Sequence, residues 1–144
     1  MSRLFLIYIA SICWFHIEAQ SPIFKTSDPM KLMGAINSPS AEESMPVFTR
    51  DSSTLYYVRT YDPRSVGGKN DQDIYFSEKF ADLVYSNGEN LTELNNKFNN
   101  AVLGINVNNN RMYVLNAYKG SKSGTKGIAY SNLGYGFWDR PVPI

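Results

Sequence analysis

The sequence predicts an all-β fold made of two consecutive four-stranded antiparallel units behind an N-terminal leader. The first observation is a pattern of strands and turns that occurs twice, about 55 residues apart. One copy reads PVFTRDSSTLYYVRT from Pro46 and continues, after a loop, as QDIYFSEK from Gln72. The other reads LGINVNNNRMYVLNAY from Leu103 and continues as KGIAYSN from Lys126. Leu55-Tyr56 aligns with Met112-Tyr113 (112 − 55 = 57), and Ile74 and Ser77 with Ile128 and Ser131 (128 − 74 = 54). The second observation is composition: 14% aromatic but only 19% charged residues favours half-buried strands over helices. The third is the polar turn cluster at the same place in each copy, Arg50–Ser53 and Asn108–Asn110. A strand-and-turn repeat of this period is the signature of a β-propeller or array.

Taken in order, residues 1–19 read as a secretory signal peptide. Arg3 supplies the positive start, Leu4 to Phe15 an apolar core too short to span a bilayer, and Ala19-Gln20 a cleavage point. Cys13 follows Ile12 and not a small residue, so it reads as part of that core and not as a lipidation site. Cleavage before Gln20 removes both Cys13 and His16, the sole cysteine and histidine. The mature chain then has no thiol or imidazole for a disulfide, a Cys/His zinc site, or a histidine-based triad.

Residues 20–44 form a polar lead-in broken by Pro22, Pro29, Gly34 and Pro39, in which Lys31–Ile36 makes a short strand or packed coil. Residues 45–92 are the first unit. Pro46–Thr49 and Thr54–Thr60 are its first two strands, Asp73–Ser77 the third, and Phe80–Tyr85, closed by Asn87-Gly88, the fourth. A helical turn over Glu78–Leu83 competes with that last strand. Residues 93–144 repeat the order: strands over Ala101–Val107, Arg111–Tyr118 and Ile128–Ser131, with Gly134–Trp138 leading to a fourth. Tyr56, Val58, Ile74 and Tyr75 are expected to pack against Met112, Val114, Ile128 and Tyr130, leaving the outer faces of the pair uncovered.

The segments SMPVFTRDSSTLYYVRT and GGKNDQDIYFSE resemble the TolB-type, WD-like β-propeller repeat. In that family a Ser-Pro-Asp-Gly turn joins the first two strands of a blade; here Thr49-Arg50-Asp51-Ser52 stands there and only Asp51 matches. The second copy departs further, with Val107-Asn108-Asn109-Asn110 in place of the turn, while Gly136–Pro141 is similar to a segment that closes such blades. Asn37-Ser38, Val66-Gly67-Gly68 and Gln72-Asp73-Ile74 resemble propellers of Bacteroidetes envelope proteins, often joined to an OmpA-like peptidoglycan-binding domain. The resemblance covers Ile36 to Ile144 and implies two propeller blades of an incomplete ring, in a periplasmic or outer-membrane protein.

A net charge of +1, with basic and acidic residues interspersed, excludes a nucleic-acid stripe. Asp62, Asn70, Asp71 and Asp73 surround two glycines and could offer oxygens to Ca²⁺. The calcium-loop spacing is not met, so a capped, solvated turn is favoured and no metal or cofactor is expected. Asp51 is read as a structural turn residue. Among the aromatics Tyr61 and Tyr118 follow the second strand of each unit, where loops emerge; with Asp62, Asn70 and Asp71 they are the candidate ligand-binding residues. Asn90-Leu91-Thr92 matches a glycosylation acceptor pattern, meaningful only in a eukaryotic secretory setting. No separated acid pair suits glycoside hydrolysis. The expectation is an exported, non-enzymatic scaffold that binds an envelope protein or glycan, with further blades, an oligomer partner or another domain over the exposed faces. A propeller segment of a secreted hydrolase or carbohydrate-active protein is the alternative.

Overall fold

A computed structural model of the chain describes residues 31–117 and 125–144. The expected signal peptide, with Cys13 and His16, and Tyr118 lie outside the described residues. Among the described residues there is no helix; the fold is all-β, in two sheets.

The first sheet contains β1 (Met33–Gly34), β2 (Glu42–Phe48), β3 (Thr54–Thr60), β4 (Gln72–Ala81), β5 (Val84–Tyr85) and β6 (Glu89–Asn90). Their order is β1-β5-β4-β3-β2, with β6 also on β4. All pairs are antiparallel except β1 with β5. Gly34 permits that parallel pair: its φ is +95°, and a Cβ there would collide with the Tyr85 carbonyl oxygen. The second sheet contains β7 (Ala101–Ile105), β8 (Arg111–Ala117), β9 (Thr125–Gly134), β10 (Phe137–Trp138) and β11 (Val142–Pro143). It runs β10-β9-β8-β7, with β11 also on β9.

The two sheets share one register. Leu55, Tyr56, Tyr57 and Val58 pair with Ser77, Phe76, Tyr75 and Ile74. Met112, Tyr113, Val114 and Leu115 pair with Ser131, Tyr130, Ala129 and Ile128. The opening strand of each unit carries an irregularity, between Ser44 and Val47 in β2 and between Val102 and Gly104 in β7. Backbone closures recur as well: Thr49 N–H donates to the Thr54 carbonyl as Asn106 does to Arg111. Leu91 N–H likewise donates to the Ile74 carbonyl as Ile144 does to Ile128. Even where the turn sequences diverge the backbone does not: Ser52 and Asn109 are left-handed, at φ 58° and 56°. Asn tolerates that region better than Ser, so the second turn is altered in chemistry and intact in geometry.

Several boundaries differ from the sequence expectation. The first strand starts at Glu42, inside the expected lead-in. Strand β4 continues through Ala81, where the helical alternative was placed, because Lys79 and Ala81 pair with β5 in a hairpin. The strand that flanks Tyr75 and Phe76 is therefore β6, not Phe80–Tyr85. In the second unit Phe137-Trp138 forms the matching hairpin and Val142-Pro143 the flanking strand.

The core between the sheets contains Tyr56, Ile74, Leu91 and Leu94 from the first unit and Val102, Met112, Val114, Ala129 and Trp138 from the second. The Tyr56 and Trp138 rings meet edge to face, at 6.1 Å and 81°. Tyr75, Ile128 and Tyr130 do not join it, contrary to expectation. Directly opposed residues of an antiparallel pair share a face, and successive residues alternate. Tyr75 sits opposite Tyr57, on the far side of the first sheet, while Ile128 opposite Leu115 and Tyr130 opposite Tyr113 lie on the far side of the second.

Candidate functional site

The far faces of the two sheets are chemically different. On the first sheet Leu55, Tyr57, Tyr75 and Tyr85 pack with Ile36 into a second buried cluster. The Arg59 guanidinium lies 5.4 Å from the Tyr57 ring centroid and 4.8 Å from that of Tyr75. It donates from Nε to Glu43 at 3.0 Å, and from its terminal nitrogens to Asp62 at 3.2 Å and to the Ile36 carbonyl at 2.8 Å. A side chain at Gly88 would strike the Tyr57 hydroxyl, so glycine lets the chain pass close over this network.

On the second sheet the far face is open. Leu103, Tyr113, Leu115 and Ile128 are between 37% and 47% exposed. Arg111 lies 4.7 Å from the Tyr130 ring centroid and its Nε donates to Asn132 at 2.8 Å. The result is an apolar and aromatic surface with a cation at one end. Scattered exposed apolar residues are ordinary, but a contiguous sheet face of them marks a place for something to pack.

The predicted ligand residues of the loop between β3 and β4 are taken up by separate hydrogen-bond partners. Asp62 is buried: Arg64 donates to it from its backbone N–H at 2.9 Å and from Nε and a terminal nitrogen at 3.0 and 2.8 Å. Those Arg64 hydrogen bonds hold its carboxyl well below the usual range. Asp71 is buried and accepts from the Gln72 N–H at 3.0 Å, and burial pushes its carboxyl up. Asp73, also raised by burial, accepts from Val66 N–H and Asn90 Nδ2, both at 2.7 Å. Asn70 is exposed at the loop tip. Among the described residues no group of three His, Cys, Asp or Glu side chains is placed to hold a metal ion.

Asp51 accepts from the Ser53 backbone N–H at 3.1 Å and the Ser53 hydroxyl at 2.9 Å, which lowers its carboxyl. Tyr61 is exposed, with a left-handed backbone at φ 65°. Tyr56, Tyr57 and Tyr75 fill sheet interiors. Sequence reasoning missed the Arg59 network and the open face of Leu115, Ile128 and Tyr130. The signal for the latter was present as strand parity, once Leu115 and Ile128 are recognised as opposite each other. Among the described residues no helix is long and apolar enough to cross a membrane. No family model, curated protein or solved structure matches the chain.

Proposed function

We propose that the chain is an exported, non-enzymatic scaffold module whose two sheets act as consecutive blades of a TolB-type propeller. It would serve at the periplasmic or outer-membrane surface, and the open far face of the second sheet is its docking surface. The observation that carries this reading is register equivalence. Tyr113, Leu115, Ile128 and Tyr130 stand where Tyr56, Val58, Ile74 and Phe76 stand in the first unit. The first-unit face is covered by the Met112, Val114 and Ala129 side of the second. The open face therefore suits a further sheet of the same register that offers medium and small apolar side chains. A glycan would need a flat aromatic platform with polar partners, and the two Tyr rings here are interleaved with Leu and Ile.

The test is a tandem chain in which residues 93–144 are duplicated after Ile144. The added unit should cover the open face, raise the urea unfolding midpoint and reduce binding of an apolar dye. At ~25 cal/mol per Å² of apolar surface covered, such a gain is measurable. No gain in midpoint and no loss of dye binding would overturn the docking assignment. Export is tested separately by fractionation of the native host, where recovery only from cytosol would contradict it.

A further inference from the structure

The turn at Ser65–Gly67 lies across a row of side chains at the start of β4. Asp71, Asp73 and Tyr75 are spaced by two, so strand alternation puts them on one face. Val66 N–H donates to Asp73 Oδ2 at 2.7 Å. A Cβ on Gly67 would strike Asp71 Oδ2 and stand 2.8 Å from the Lys97 carbonyl oxygen, so these two oxygens flank one point. Burial pushes the Tyr75 hydroxyl up, and the adjacent Asn90 and Ser65 side chains draw it back down. Residues 65, 66 and 67 therefore meet residues 75, 73 and 71 in turn, with the loop antiparallel to the row. Three backbone hydrogen bonds fix it there: Ser65 N–H to the Asp62 carbonyl, Gly68 N–H to Ser65 and Asp71 N–H to Gly68, at 3.1, 3.1 and 2.9 Å.

Under this turn four oxygens have no hydrogen-bond partner among the described residues: Ser65 Oγ, Asp71 Oδ2, Asp73 Oδ1 and Tyr75 Oη. All four residues are buried, Ser65 and Asp71 being 7% exposed and Asp73 and Tyr75 0%. Each carboxylate is held through its other oxygen, Asp71 Oδ1 by Gln72 N–H and Asp73 Oδ2 by Val66 N–H and Asn90 Nδ2. The nearby Arg59 and Arg64 are engaged by Glu43 and Asp62, and no ion pair found among the described residues includes Asp71 or Asp73. Two buried carboxylates without a counter-charge are costly, and burial raises both. The charge of Asp73 adds to the rise at Asp71. A neutral donor would satisfy the free lone pairs and leave the charge, whereas a hard cation answers both. The spacing of these residues predicts a solvated turn, and it is the burial of the two acids that departs from it.

We propose that this turn binds one calcium ion through Asp71 Oδ2 and Asp73 Oδ1, with the Ser65 hydroxyl and the Lys97 carbonyl as neutral ligands. Calcium takes about six to eight oxygens in flexible geometry. Two acids, a hydroxyl, a carbonyl and water suit it better than they suit the strict octahedron of magnesium. A structural zinc ion would call for nitrogen or sulfur ligands, which this set lacks. The proposal does not rest on the docking face of the second sheet, and either can fail without the other.

The experiment strips the full chain with a chelator and titrates it with calcium chloride at constant ionic strength, reading the heat of binding and the urea midpoint. Calcium should bind at one site per chain, and the midpoint should climb with the logarithm of its concentration, as linkage to the folded state requires. Magnesium and sodium should raise it far less. Asp71→Asn keeps an acceptor for the Gln72 N–H and removes one charge, so affinity should fall at least roughly tenfold. Ser65→Ala deletes a hydroxyl that no described residue bonds, so stability in chelator should hold while calcium affinity falls by a smaller factor. No heat and no rise up to millimolar calcium, an equal rise with magnesium or sodium, or unchanged affinity in either variant would each overturn the proposal.

Discussion

Strands β3 and β8 occupy the same place in their units and have opposite surroundings. From Leu55 to Arg59 every residue of β3 is buried, whereas residues 111 to 115 of β8 alternate exposed and buried. Both strands are apolar on both faces, and both pair with the next strand in one register. The difference lies only in what packs against them. The first sheet has the second on one side and the Arg59 network on the other, while among the described residues the second sheet has a partner on one side alone. A repeat thus specifies the sheet, and burial of each face depends on its neighbour.

The strongest way to break this contrast is Arg59→Ala. It leaves Glu43 and Asp62 beside Tyr57 and Tyr75 without their cation, and losing one partner of a buried ion pair costs about 3–5 kcal/mol. The urea midpoint of the full chain reads this. A loss below about 1 kcal/mol would mean that the aromatic cluster alone holds the covered face.

Asp62→Asn comes next, at about 1.5–3 kcal/mol near neutral pH, the range for hydrogen bonds to a charged group. The sign with pH follows from its lowered carboxyl. Its stabilisation is fully present above the ordinary value of 3.8 and is lost as pH falls through the lower folded value. The stability gap between wild type and variant should therefore be constant near neutrality and narrow in acid. A gap that stays unchanged down to about pH 2 would contradict the charged role of Asp62.

The equivalent pair Val58 and Leu115 (115 − 58 = 57) sharpens the comparison most directly. Val58 is 1% exposed and Leu115 42%. Val58→Ala should cost about 2 kcal/mol, and Leu115→Ala less than about 0.5 kcal/mol. Equal losses, measured by denaturant unfolding, would show that the far face of the second sheet is covered after all. In the tandem chain the Leu115→Ala cost should rise toward that of Val58→Ala.

The smallest effect belongs to the turns. Asn106 Oδ1 accepts from the N–H groups of Asn110 and Arg111, each at 3.0 Å, where Thr49 Oγ1 accepts from Thr54 N–H at 3.0 Å. Asn106→Ala should cost about 1 kcal/mol. Amide exchange of Arg111 should quicken while that of Thr54 does not; acceleration at both would show that the turns are coupled, consistent with the 3.2 Å hydrogen bond from Arg50 N–H to Asn109 Oδ1.

Much of the fold was legible in the residues. The offset of 57 over the second strands and 54 over the third is the offset at which the pairing repeats, because register and turn geometry are local consequences of strand alternation and turn chemistry. The flanking strands were less legible. Glu89-Asn90 and Val142-Pro143 are too short and too polar or proline-bearing to show a period, and their partners hold them in place. The candidate loop was legible as a cluster of oxygens but not as a network. Which of Asp62, Asp71 and Asp73 faces an arginine depends on where Arg59 and Arg64 fold back in three dimensions.

By itself the amino-acid sequence determined the all-β class, the doubled unit, its register and the turns that close it. Each of these follows from neighbours within a few residues or from the period of two. Only the tertiary structure decided that one far face is sealed around a buried guanidinium and the other is open. Burial and convergence depend on contacts between residues distant along the chain, and apolar alternation reads the same whether or not anything lies against it.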